Sequence, residues 1–157
     1  MGLASASRYV SVVGGTDATD EVLASAEEVG RLLAQRGCVV VTGGRAGVAE
    51  AASRGSVLAG GTTVGILPGA RRVEANPYVT VAVPTGLGES RNALVVMDAS
   101  AVIALPGAYG TLSEVAFALL AGIPVVVLAD GWDIAGTVPA RTPADAVDLA
   151  LDLAAGR

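Results

Sequence analysis

Between Ala101 and Leu120 the chain reads AVIALPGAYGTLSEVAFALL. The apolar run Ala101 to Leu105 meets Pro106, Gly107 and Gly110, then gives way to helical spacing with Val115, Leu119 and Leu120 on one side. This order predicts a strand, a tight glycine loop and a helix N-terminus. Backbone N–H groups without intrahelical partners, and the positive end of the helix dipole, point out of such a loop and suit an anion, most often phosphate. Glu114 falls one turn into the helix, where its carboxyl faces the same ligand. The spacing Thr111-x-x-Glu114 also fits a capping box, in which Glu114 would only satisfy the Thr111 N–H.

Other elements must bring further groups to that loop. Tyr9 to Val13 predicts a first strand ending in Gly14-Gly15, and a helix carrying Val22, Ala26, Val29, Leu32 and Leu33 runs to about Arg36. Gly37 ends it in a left-handed conformation. Cys38 to Val41 predicts the second strand, followed by the loop Thr42-Gly43-Gly44-Arg45-Ala46-Gly47 and a helix from Val48 to Ala59. Thr63 to Leu67 and Val79 to Val83 predict the third and fourth strands, with an irregular excursion from Ala70 to Pro77 between them. A helix from Glu89 or Ser90 carries Leu94, Val95 and Met97. Pro124 to Leu128 predicts the sixth strand, Asp130 to Val138 reads as irregular, and Thr142-Pro143-Ala144-Asp145 starts a closing helix.

Strands that are continuous apolar runs, alternating with helices, predict a parallel sheet covered on both faces. The expected fold is a single Rossmann-like α/β domain over residues 1–157, three-layered, with about six strands. In such sheets ligands bind beyond the carboxyl ends of the strands, near the switch in strand order. Gly14, Gly43, Gly44 and the loop from Gly107 should therefore gather at one edge. Gly43-Gly44 either permits a tight strand-to-helix turn or touches the ligand, and Tyr109 either covers the ligand or packs on its own helix. The dinucleotide fingerprint G-x-G-x-x-G is absent, which speaks against an ordinary NAD site.

Composition prunes the chemistry. A net charge of −5 speaks against nucleic-acid and anionic-membrane partners, which need a basic face. The chain has no histidine, and all 10 basic residues are arginine. Ser/His and Cys/His nucleophilic systems, His-ligated metals, a P-loop lysine and a Schiff base to pyridoxal are therefore out. Carboxylate, arginine, hydroxyl and backbone N–H remain, and neither a metal nor a resident organic cofactor is expected. One cysteine, Cys38, allows no internal disulfide and suits a reducing cytoplasm. No basic stretch followed by an apolar one opens the chain, so export is not expected.

The segment LPGAYGTLSE resembles the PGGxGTxxE signature of the Lonely Guy (LOG) family, often labelled lysine decarboxylase-like. Val41-Thr42-Gly43-Gly44 with Gly47-Val48 resembles that family's early glycine motif, and Arg91 stands at the family's spacing before Pro106. The resemblance implies a Rossmann-like homodimer that hydrolyses the N-glycosidic bond of a nucleoside 5′-monophosphate, releasing free base and ribose 5-phosphate. It places Gly107, Gly110 and Thr111 on the phosphate, with Ala108 and Tyr109 in the same loop, and makes Arg91 and Glu114 the catalytic pair. Cleavage of an N-ribosidic bond builds positive charge on the sugar that a carboxylate can stabilise, and an arginine can clamp phosphate. The decarboxylase label does not suit a chain without lysine.

Three departures stand out. Ala108 replaces the signature's second glycine, Asn92 follows Arg91 where lysine is usual, and Ser100 takes a place where aspartate is common. Arg91-Asn92 with Gly110-Thr111-Leu112-Ser113-Glu114 is closer to a short branch that resembles molybdenum-cofactor carrier proteins. That likeness implies a non-catalytic binder or carrier of a nucleotide or pterin-type cofactor, as the alternative to hydrolysis in the same pocket.

Overall fold

The computed structural model describes residues 8–129 and 131–157. Asp130, the first residue of the expected irregular segment, and the opening seven residues, which bear on the export reading, lie outside the described residues. Among those described, the order is β1 (Tyr9–Val13), α1 (Asp20–Gln35), β2 (Val39–Thr42), α2 (Val48–Leu58), β3 (Thr63–Leu67), a 3₁₀ turn (Arg72–Glu74), β4 (Val81–Pro84), a second 3₁₀ turn (Gly88–Arg91), α3 (Asn92–Val96), β5 (Ala101–Ala104), α4 (Tyr109–Leu120), β6 (Val125–Leu128), β7 (Val138–Ala140) and α5 (Pro143–Ala155).

All neighbouring strands pair in parallel, in the order β4-β3-β2-β1-β5-β6-β7. The chain steps outward from β1 in one direction, then crosses back to β5 and steps outward in the other. The switch in order therefore lies between β1 and β5, whose carboxyl ends open the crevice in which such sheets bind ligands.

Alternate residues of the central strands feed two cores. Val10, Val12, Val40, Ile103 and Val126 pack with α1, α2 and α5 on one face, while Val13, Val102, Ala104 and Val125 pack with α3 and α4 on the other. A strand that buries both faces has few polar positions to spare, which is why these strands read as near-continuous apolar runs; Ser11 in β1 is buried with its hydroxyl donated to Val95 O at 2.6 Å. Local signals set several ends. Thr19 accepts from Val22 N at 3.3 Å at the start of α1, and Thr142 accepts from Asp145 N at 3.1 Å before Pro143 at the start of α5.

Four expectations change. A seventh strand, β7, is added at an edge. Three residues with a central proline, Val138-Pro139-Ala140, carry almost no pattern, and an edge strand tolerates a missing N–H. The fourth strand starts two residues later than Val79, after Thr80 donates its N–H to Thr63 Oγ1 at 2.9 Å. The third helix is shorter than expected. It opens as a 3₁₀ turn and ends at Val96, leaving Met97 extended and exposed. The capping box is absent, because α4 begins at Tyr109 with Ala108 as its N-cap. Thr111 already lies inside the first turn, so Glu114 is not its capping partner.

Candidate functional site

A cavity of about 720 Å³ opens at the β1/β5 switch, lined from four directions. The β1–α1 loop supplies Gly14, Thr16, Asp17 and Thr19. The β2–α2 loop supplies Arg45 and Ala46, the turn before α3 supplies Glu89, Arg91 and Asn92, and the β5–α4 segment supplies Gly107, Ala108, Gly110, Thr111 and Glu114. That volume suits a small organic ligand.

The β5–α4 loop is tight for a steric reason. A Cβ on Gly107 would lie 2.1 Å from Thr111 Oγ1 and 2.9 Å from Gly15 N, so only glycine lets the loop close onto the first turn of α4 and onto the β1 loop. Gly15 N donates to Pro106 O at 2.9 Å, which ties the two loops together across the crevice. The α4 N-terminus has no side-chain cap. Its first N–H groups and the positive end of the helix are left for an anion.

Arg91 is buried, 9% exposed. One amino group donates to Asn92 Oδ1, the other reaches Gly43 O at 3.5 Å, and Nε has no partner among the described residues. A buried guanidinium and an uncapped helix N-terminus thus share one cavity, and both are chemically suited to an anion. Asn92 extends this arrangement, donating to Glu89 Oε2 at 3.2 Å and to Ser113 Oγ at 3.1 Å, while Ser113 Oγ donates to Gly110 O at 2.6 Å. The side chain after the arginine thus couples it to the glycine loop. A lysine there could donate but not accept from Arg91.

Glu114 is 7% exposed. Burial pushes its pKa up to about 8, against the pull of Arg91 and with a further push from Glu89. Its carboxyl therefore holds a proton at neutral pH and presents a donor to the cavity as well as an acceptor.

Of the residues singled out in the sequence, Gly14, Arg91, Gly107, Ala108, Gly110, Thr111 and Glu114 are brought around one cavity. Three are not in its lining. Gly43 backs the Arg91 guanidinium, Gly44 packs on Gly65 and Leu67, and Tyr109 is 82% exposed outside the lining. Sequence reasoning passed over Thr16, Asp17, Thr19, Arg45 and Pro68 as site residues. A weak signal existed for the first three, because they follow the glycine pair after β1. Arg45 sat in a quoted loop without a reason to choose it over nine other arginines.

The parallel sheet, the switch-point cavity and the glycine loop at a helix N-terminus define a Rossmann-like α/β protein. The SLOG cluster4 family model matches residues 7–151, and the chain belongs to that family. An uncharacterized protein of Archaeoglobus fulgidus is 34% identical over 142 residues, spanning 90% of this chain and 93% of the relative. Two solved structures are similar along nearly their whole length. The molybdenum cofactor binding protein of the phototrophic bacterium Rippkaea orientalis has a TM-score of 0.89 at 35% identity, covering 96% of this chain and 99% of that one. The molybdenum cofactor carrier protein of Chlamydomonas reinhardtii has a TM-score of 0.85 at 31% identity, covering 95% and 99%. Among the described residues no helix is long and apolar enough to cross a membrane.

Proposed function

We propose that this protein binds a phosphorylated pterin, the molybdenum cofactor, as cargo. Its phosphate would sit on the N–H groups at the start of α4, between Gly107 and Thr111 and beside Arg91, with the heterocycle in the remainder of the cavity. The observation that supports this most is the likeness to a molybdenum cofactor binding protein along 96% of the chain. The site agrees with it. An uncapped helix N-terminus and a buried arginine with a free N–H hold phosphate without consuming it.

Hydrolysis of a nucleoside 5′-monophosphate is the second reading, and the meeting of Arg91 with Glu114 in one cavity is what favours it. In that reaction Glu114, with its pKa pushed up to about 8, would serve as a proton donor to the leaving base rather than as a counter-charge to the ribosyl cation. We propose further that two copies pair through the apolar outer face of α3 and α4.

One experiment separates the two functions. Wild type and Arg91→Ala are titrated with neopterin 3′-monophosphate as a stable phosphorylated pterin, and wild type and Glu114→Ala are incubated with a nucleoside monophosphate panel followed by chromatography. The carrier reading expects tight binding that falls roughly 10- to 100-fold in Arg91→Ala, as for loss of a charge-assisted contact, and no free base. Release of base and ribose 5-phosphate by the wild type, abolished in Glu114→Ala, would replace it with hydrolysis.

A further inference from the structure

Three carboxylic acids line the cavity, and they are not equivalent. Glu114 is buried and protonated at neutral pH, and Glu89 accepts from Asn92 Nδ2 at 3.2 Å. Asp17, in the β1–α1 loop, is exposed and makes no ion pair or side-chain hydrogen bond among the described residues, yet it lines the same cavity as the α4 N-terminus. It belongs to the loop across the crevice from Gly107. The two loops touch at Gly15 and Pro106, and beyond that contact Thr16, Asp17 and Thr19 form a wall of the cavity that a ring attached to a phosphate on α4 can lie against.

We infer that Asp17 reads the heterocycle of the ligand, selecting a ring with two adjacent N–H donors on one edge. A pterin, like a guanine, presents a ring N–H beside an exocyclic amino group. Both hydrogens meet the two oxygens of one carboxylate, in the side-by-side geometry that arginine uses toward carboxylates. Adenine presents an amino group beside a bare ring nitrogen, and the lone pair of that nitrogen repels a carboxylate. The neighbours Thr16 and Thr19 offer hydroxyls that can donate to the ring's carbonyl or nitrogens. The selection deepens the binding reading above and rests on it: an Asp17 that prefers pterin and guanine edges turns the cavity away from adenine nucleotides.

The test is calorimetric titration of the full chain, wild type and Asp17→Asn, with neopterin 3′-monophosphate, GMP and AMP at pH 7. Asp17 is exposed, so the substitution leaves the fold intact, and asparagine offers one acceptor and one donor in place of two acceptors. The wild type should bind the pterin phosphate and GMP at least about ten-fold more tightly than AMP, as expected for a good two-point contact. Asp17→Asn should weaken those two about ten-fold and leave AMP within two-fold. Unchanged preference in the variant, or no preference in the wild type, overturns the role of Asp17 while leaving the phosphate site standing. Failure of the wild type to bind any of the three overturns the binding reading and this inference together.

Discussion

On one face of the sheet, α1, α2 and α5 turn charge to the solvent, with Arg31 paired to Glu28, Arg36 to Asp148, and Arg54 to Glu27 at 3.8 Å. On the other, α3 has no charged residue and α4 only Glu114, while Leu94, Phe117 and Leu120 are exposed, the last by 84%. The two layers treat a carboxyl oppositely. Glu28, on the charged layer, accepts from Arg31 and is held below the usual carboxylate range. Glu114, on the other, is pushed up to about 8 by burial. Glu114 is buried and Glu28 is not, so desolvation outweighs the Arg91 guanidinium at the first, while the Arg31 hydrogen bond prevails at the second.

The packing of the charged layer offers the largest expected effect. Helices α1 and α2 approach so closely that a Cβ on Gly30 would lie 1.9 Å from Ala52 O. Gly30→Ala should cost about 3 kcal/mol or more, because backbone rather than a flexible side chain must move. Urea denaturation reads this. A loss below about 1 kcal/mol would mean the helices slide apart freely and that close approach does not hold this layer.

The apolar layer is tested by assembly. If two copies pair through α3 and α4, Leu120→Asp should raise the dimer dissociation constant on the order of 100-fold, since it places a charge in the contact. Sedimentation at micromolar concentration would then show monomer for the variant and dimer for the wild type. Identical behaviour of the two proteins would remove this face as the interface.

The smallest effect concerns the acid itself. Glu114 has a folded-state pKa of about 8, above the ordinary carboxylate range. Between pH 4.5 and 8 the folded protein keeps a proton that the unfolded chain has lost, so this group's contribution falls as pH rises and its cost is complete above 8. Glu114→Gln removes the dependence. The stability of the variant relative to wild type should grow by about 1 kcal/mol per pH unit between pH 6 and 8, read from denaturation midpoints. A constant difference across that window would mean Glu114 is ionised throughout and that the layers do not differ electrostatically.

Much of this was legible before folding. The strand positions and the β5–α4 loop follow from apolar runs and glycines, Glu114 from its place one turn into the helix after that loop, and Arg91 only from the resemblance to the Lonely Guy family. What escaped was short or context-bound. β7 is three residues long and broken by Pro139, and Asp17 and Arg45 look like any exposed loop residues until the sheet sets them opposite α4. Gly43 and Tyr109 are in the motif and out of the cavity lining, because sequence adjacency to a loop does not say which way its backbone turns.

The sequence by itself determined the parallel sheet with helices on both faces, since near-continuous apolar strands alternating with helices must have both faces covered to exclude water. It also determined that polar chemistry here rests on carboxylate, arginine, hydroxyl and backbone N–H, since histidine and lysine are absent. Only the tertiary structure decided that Arg91 keeps an unused N–H beside the α4 N-terminus, that Asn92 joins it to the glycine loop, and that Glu114 is neutral at pH 7. Those are properties of burial and of partners far apart in the chain: Arg91 meets Gly43 across 48 residues. A local pattern can propose such neighbours, and only the folded sheet brings them together.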